Sequence, residues 1–349
     1  MKQLFTVILI IISGYLYAQT NDNLSGTQQE IKKKAQLLYN EGVKLIESDD
    51  YTKAHLKFDE ALFIFPEFDL PYLERGKIKI RNSQFDLAKK DINIAIELND
   101  QLAEAYYCMG FLEYIDKNYK SAYSNLNKAI QKGFVNPEAY YYRGLVNFVL
   151  EDYTNAMIDF TMAIDKNPNF TYAYHERASS KKMLNDYQGA INDYNQALKL
   201  NSELITAFDN MGSCKIKLGD FKGAIEDYSK AIQLNPKYYL AINNRGIAYY
   251  QMANYEAAMN DFNKVIEIKK DYAEAHNNLG ITNVKMQNYI TAVKNLTKAI
   301  ELNPKYAEAF LNRGYAQEFL GKFNEACTDW KKAKELGLND AEKYMNECE

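Results

Sequence analysis

The side chains of this 349-residue sequence that are best placed for chemistry are suited to binding. Asn210, Asn244, Asn278 and Asn312 recur at intervals of 34 residues. A carboxamide both donates and accepts, so a column of four can pair with the backbone of an extended peptide whatever side chains it carries. The same amides could instead bond from one helix to the next. A second set is aromatic. Tyr107, Phe111 and Tyr114, then Tyr141, Leu145 and Phe148, step by four and three residues along one helix face. Rings on such a face are binding anchors when exposed and packing residues when covered.

Nothing comparable points to catalysis. No HExxH, no CxxC and no phosphate-loop glycine pattern occurs. His55, His175 and His276 fall in separate repeats of the pattern below, too far apart to share one metal. Acid pairs such as Asp49 and Asp50 fit solvated turn caps better than catalytic carboxylates. The chain is therefore expected to be no enzyme and to use no cofactor and no metal. Its formal net charge of -4 gives no basic footprint for neutralising phosphates, so nucleic acid is not an expected partner.

The elements that position these residues repeat. From Ala35 the chain can be written in consecutive 34-residue rows without a gap. Position 8 of each row is Gly42, Gly76, Gly110, Gly144, Ala178, Gly212, Gly246, Gly280 and Gly314. Position 17 is always Tyr or Phe, from Tyr51 to Phe323, and position 20 is always alanine, from Ala54 to Ala326. Position 27 is alanine except for Val265, and position 24 is large and apolar throughout. Positions 17, 20, 24 and 27 share one helix face, and their small residues let helix axes approach closely while the large ones fill the space between. Pro66, Pro168, Pro236 and Pro304 stand at position 32, and Pro71 and Pro137 in the first turn of the next helix, where a missing N–H matters little. Each row is expected to be a helix hairpin.

The rows also serve as an internal alignment. Arg75, Arg143, Arg177, Arg245 and Arg313 stand at position 7, and the same rows carry Asp91, Asp159, Asp193, Asp261 and Asp329 at position 23. Row one reverses the signs with Glu41 and Lys57, and rows three and eight lose both charges. Only row six, Met211 with Asp227, breaks the rule. An ion pair between the two helices of one hairpin follows, against the alternative of two independently solvated columns.

With Gly or Ala at 8, an aromatic at 17, Ala at 20 and 27 and Pro at 32, the 34-residue period resembles the tetratricopeptide-repeat family. The departures are the missing Trp at position 4, where Tyr72, Tyr106, Tyr140, Tyr174 and Phe208 stand, and rows without the proline. The resemblance implies an all-α, right-handed α-solenoid of nine helix hairpins over residues 35–340. Its concave wall would consist of first helices, with positions 2, 5, 9 and 12 lining the groove. It thereby places both the aromatic trios and a protein-binding role on that wall. The asparagine column is similar to the ladder in the repeat domain of O-linked N-acetylglucosamine transferase. No row has Asn at position 9, so the family's chaperone-type carboxylate clamp is not expected.

The ends complete the division. Residues 1–18 read as an export signal, with Lys2, an apolar run from Leu4 to Ile12 and a small-residue exit at Ala18. The run is too short for a bilayer core, which takes ~20 residues. Residues 19–34 are a polar linker passing into the first helix, and 341–349 a capping half-repeat that supplies the polar end a solenoid needs. Export permits disulfides, and Cys327 with Cys348 lies on elements that should pack together, whereas Cys108 and Cys214 sit three rows apart and should stay free. The expected protein is periplasmic or secreted, and a scaffold for protein or peptide segments without a stable membrane span after cleavage. The alternatives are an envelope receptor stacking sugars or other small ligands on its tyrosines, and a structural spacer.

Overall fold

The computed structural model describes residues 26–345 and 348. The export segment expected at 1–18 and the first residues of the linker lie outside the described residues. The described residues hold eighteen α-helices and no strand. Contacts divide the chain into two compact units, Met1–Asn167 and Pro168–Glu349.

The first unit contains rows one to four as α1 (Gly26–Glu47), α2 (Tyr51–Ile64), α3 (Asp69–Arg81), α4 (Phe85–Leu98), α5 (Ala103–Ile115), α6 (Tyr119–Gln131), α7 (Pro137–Val149) and α8 (Tyr153–Lys166). The second contains rows five to nine as α9 (Thr171–Met183), α10 (Tyr187–Leu200), α11 (Ile205–Lys217), α12 (Phe221–Leu234), α13 (Tyr239–Gln251), α14 (Tyr255–Ile268), α15 (Ala273–Lys285), α16 (Tyr289–Leu302), α17 (Ala307–Phe319) and α18 (Phe323–Glu335). Within each unit a first helix packs on its own second helix, and that second helix packs on the next row's first. Successive first helices also touch directly, α5 with α7 in the first unit and α9, α11, α13, α15 and α17 in sequence in the second.

Local chemistry sets the hairpin. Every second helix starts at the position-17 aromatic. One residue earlier, Asp50, Asp152, Asp186, Asp220 and Asn254 each accept a hydrogen bond from the backbone N–H three residues on, which satisfies a donor the helix start leaves open. Asp49 and Asp50 are thus turn residues. The turn residue at position 15 adopts positive φ in all nine rows, 57 to 63° in seven and 78 and 73° at Gly219 and Gly321. Lys117, Glu151 and Gln287 hold that left-handed conformation at a cost of ~1–2 kcal/mol each, and the capped helix behind them fixes it.

Between the helices, position 8 meets position 24. A Cβ placed on Gly246 would stand 2.6 Å from Phe262, and one on Gly42 2.5 Å from Phe58. Those ring contacts are what glycine permits. Around them Ala224, Ala231 and their equivalents are fully buried, with Tyr228 only 2 % exposed.

The charge columns meet within each hairpin. Arg245 Nε and Nη2 donate to the two oxygens of Asp261 at 2.9 and 2.7 Å, and Arg75, Arg177 and Arg313 make the same fork with Asp91, Asp193 and Asp329. Arg143 does likewise with Asp159, and Lys57 reaches Glu41 at 3.1 Å. Two partners went unread in the sequence. The free arm of the arginine donates to position 25 of the preceding row, Asp59, Asn127, Ser229 or Thr297, so the pair ties neighbouring hairpins as well. Position 11 supplies a second donor to the aspartate, Lys79, Asn147 or Lys181. In row six it replaces the arginine altogether, with Lys215 2.7 Å from Asp227.

The C-terminal cap is a short helical segment of 3-10 type, Asn339–Tyr344, whose Tyr344 ring lies 5.6 Å from Trp330. Cys327 and Cys348 are bridged, with Cα atoms 5.5 Å apart. Among the described residues no helix is long and apolar enough to cross a membrane.

Candidate functional site

The aromatic residues of rows three and four form one cluster on the first helices α5 and α7. Its centre is Tyr142, which the sequence pattern did not single out. Its ring lies 5.0 Å from Phe111 edge-on, 5.7 Å from Tyr114, 6.4 Å from Tyr107 and 5.5 Å from Tyr141. Tyr142 occupies position 6 of row four, the column that carries asparagine in rows six to nine. Phe134, in the turn before α7, stacks on Tyr107 at 4.8 Å. Phe148 is turned toward Tyr153 at 5.2 Å, and Tyr141 also reaches Phe160 at 5.8 Å. Phe160 is fully buried, and the other rings are half-buried. Packing therefore accounts for part of each half-buried ring, and the remainder is open to solvent. Burial pushes up the phenols of Tyr107 and Tyr142, reinforced by neighbouring tyrosines and by Glu138.

The asparagine column has a different environment. Asn244 Nδ2 donates to Asp209 at 3.1 Å, Asn278 to Asn243 at 3.1 Å and Asn312 to Asn277 at 3.0 Å. Asn210 accepts from Lys182 Nζ at 2.8 Å. In rows seven to nine each position-6 amide thus bonds to position 5 of the preceding first helix. One N–H of each of these three amides is committed between repeats, one of the two uses the sequence left open. Asp-Asn and Asn-Asn at 209–210, 243–244 and 277–278 were the available signal, hidden because the bond joins residues 35 apart rather than one row's own columns.

Asp209 gives this latch a testable charge. Burial raises its pKa, against the hydrogen bonds of Asn244 and Tyr238, which lower it. A carboxyl whose folded pKa is raised destabilises the fold at higher pH, and acidification through that folded pKa toward the ordinary carboxylate range relieves the effect. Asp209→Asn keeps an acceptor for Asn244, as Asn243 and Asn277 do for their partners. Its expected melting temperature exceeds wild type at neutral pH, with the gap narrowing on acidification. A lower melting temperature at neutral pH would show that the charge itself holds the latch.

Two further groove positions prove structural. Ser179 Oγ lies 3.1 Å from the hydroxyl of fully buried Tyr194, and Ser213 Oγ 3.3 Å from Tyr228. Serine occupies position 9 only in rows five and six, the two rows with tyrosine at 24. Ser179→Ala is expected to cost ~1–3 kcal/mol by leaving a buried hydroxyl unsatisfied. Adding Tyr194→Phe should recover part of it. Urea unfolding of the two variants decides the matter, since an equal or larger loss in the double variant contradicts the bond.

The histidines stay apart. His55 faces Asp59 at 3.1 Å, His175 faces Glu176 at 3.0 Å and packs edge-on to Tyr194, and His276 Nε2 lies 3.4 Å from the Lys270 carbonyl, its pKa lowered by burial. Among the described residues no three His, Cys, Asp or Glu gather as a metal set. Cys108 and Cys214 are free and buried, and burial pushes the Cys214 thiol up to about 11.

Comparison with known proteins yields repeats. The profile described as TPR repeat matches residues 215–252, 254–287 and 283–318, and the one described as Tetratricopeptide repeat matches 171–204. No curated protein matches the chain in sequence. Similar solved structures include a tetratricopeptide repeat protein from Parabacteroides merdae, 22% identical with a TM-score of 0.57, covering 69% of this chain and 96% of that one. The C-terminal part of a TPR repeat-containing protein from Cytophaga hutchinsonii is 20% identical with a TM-score of 0.56, covering 67% and 97%. YrrB, described as a TPR protein with an unusual peptide-binding site, is 24% identical with a TM-score of 0.50, covering 53% and 95%. At these identities the likeness is one of fold.

Proposed function

The chain belongs to the tetratricopeptide-repeat family, whose scaffold fold suggests protein–protein interaction, and from that premise we propose that it holds protein or peptide segments and performs no chemistry itself. The observation that carries this reading is the cluster of partly exposed aromatic rings on α5 and α7. Half-buried rings lose little side-chain freedom on binding and offer large apolar area, the properties of an interface anchor. YrrB supports the reading only as an instance of the fold with a peptide-binding site. The latched asparagines of rows seven to nine serve chiefly to lock repeats together.

We place the protein outside the cytoplasm. The export-like residues 1–18 motivate this, and the Cys327–Cys348 bridge is of a kind that persists in oxidising compartments.

A random peptide library displayed against the full chain tests the binding role. Selected peptides should lose at least about tenfold in affinity, ~1.4 kcal/mol, with Phe111→Ala at unchanged fold by circular dichroism, and keep it with Tyr250→Ala in the other unit. Failure to select any peptide, or equal binding by the Phe111 variant, would refute the site. Retention of soluble oligosaccharides in place of peptides would favour a sugar receptor.

A further inference from the structure

The two aromatic helices, α5 and α7, carry carboxylates in their first turns, and the lysine beside one of them is already paired. Glu104 and Glu138 occupy position 2 of rows three and four, in the first turns of α5 and α7. Glu104 stands one helical turn before Tyr107 on α5, and Glu138 one turn before Tyr141 and Tyr142 on α7, so each carboxylate shares a helix face with the rings. Glu74, on α3, lies beside them: Lys77 Nζ bridges Glu74 at 3.0 Å and Glu104 at 2.9 Å. The side chain of Glu104 nevertheless remains 37% exposed, and Glu138 is exposed. Lys128 and Lys132 lie over the Tyr106 ring, and Arg143, next to Tyr142 on α7, is held by Asp159.

We propose that the segment bound on this wall is cationic, presenting Lys or Arg between apolar side chains. This rests on the peptide-binding reading and commits its partner's charge. An ammonium or guanidinium over Tyr107 meets the negative face of the ring and the carboxylates of Glu104 and Glu138 together. An acidic segment would bring like charge against three carboxylates that one lysine does not balance. A wholly apolar one would strip water from Glu104 and Glu138 without replacing it. The rings thus supply contact area and the carboxylates select the sign.

Fluorescence anisotropy of the full chain with three synthetic peptides of equal length tests this: Lys alternating with Phe, and the same peptide with Gln or with Glu for Lys. The Lys peptide should bind at least tenfold more tightly than the Gln peptide and weaken as salt is raised. Glu138→Lys, at an exposed position and with unchanged fold by circular dichroism, should weaken the Lys peptide about tenfold. Glu301→Lys, exposed in the second unit, changes net charge equally and should leave it within about twofold. Equal binding of the Gln or Glu peptide overturns the charge inference and leaves the peptide-binding reading standing. Equal weakening by Glu138→Lys and Glu301→Lys, or by neither, overturns the placement. Binding of none of the three overturns both.

Discussion

Arg245→Ala is expected to lower the unfolding free energy by ~3–5 kcal/mol, the scale for removing one partner of a buried pair. Asp261 is 6 % exposed and both its oxygens are held by Arg245 at 2.9 and 2.7 Å. Without the guanidinium the carboxylate stays in the gap between α13 and α14 with little water to replace it. The loss has a second part, because the third arm of Arg245 reaches Ser229 on α12 at 3.0 Å and so joins row seven to row six. Arg245→Met with Asp261→Leu removes the charges together and should cost less than the single change, since nothing charged is left buried. Urea unfolding followed by circular dichroism measures both. A loss under ~1 kcal/mol for Arg245→Ala would place the pair among solvent-screened surface bridges, and a double variant no more stable than the single would mean that the stranded carboxylate is not what the single change costs.

These pairs also mark how far the sequence could be read. Columns 7 and 23 lie in one row, so nine rows displayed their joint variation directly. The same comparison hid every contact that crosses rows: Arg245 to Ser229, Asn278 to Asn243, and the meeting of Tyr142 with Phe111. Such contacts depend on how one hairpin is set against the next, and a column of identities carries no record of that. Row six shows the opposite failure. Met211 looked like a missing partner for Asp227, yet Lys215, one helical turn further on, fills the role, because a long flexible ammonium reaches the same carboxylate from position 11. Small residues at 8, 20 and 27 were legible as close helix packing because sterics leave few alternatives there. The division at Asn167–Pro168 had no such signature, since Pro168 stands at the same position 32 as Pro236 and Pro304.

The candidate site follows the same division between what types dictate and what geometry decides. Rings at positions 5, 9 and 12 were visible as a face, but their number and period said nothing about which would be covered. In the fold Phe148 turns to its own hairpin's Tyr153 while Phe111 turns to the next row's Tyr142. The asparagines likewise had two uses open to them, and position 5 of the preceding helix, carrying Asp209, Asn243 and Asn277, decided in favour of the bond between repeats in rows seven to nine.

Reduction of the Cys327–Cys348 bridge, or Cys327→Ala with Cys348→Ala, is expected to remove ~3 kcal/mol from the last row, the chain-entropy value for a loop of about this length; the two cysteines are 21 residues apart. In a stack where each repeat contacts only its neighbours, the loss should fall on the end hairpin and not spread through the array. Trp330 makes that measurable, being the single tryptophan of the chain, 3 % exposed, and set between Gly314 and Tyr344. It lines the same cavity as both cysteines. Releasing the cap should therefore let α18 fray, so that tryptophan emission shifts to the red at lower urea than the helical signal is lost, whereas the oxidised protein should show a smaller separation. Cys108 and Cys214, buried and unbridged, give the reductant nothing else to act on. Coincident fluorescence curves for oxidised and reduced protein would mean that the packing of Tyr344 on Trp330, and not the covalent link, closes the end of the stack.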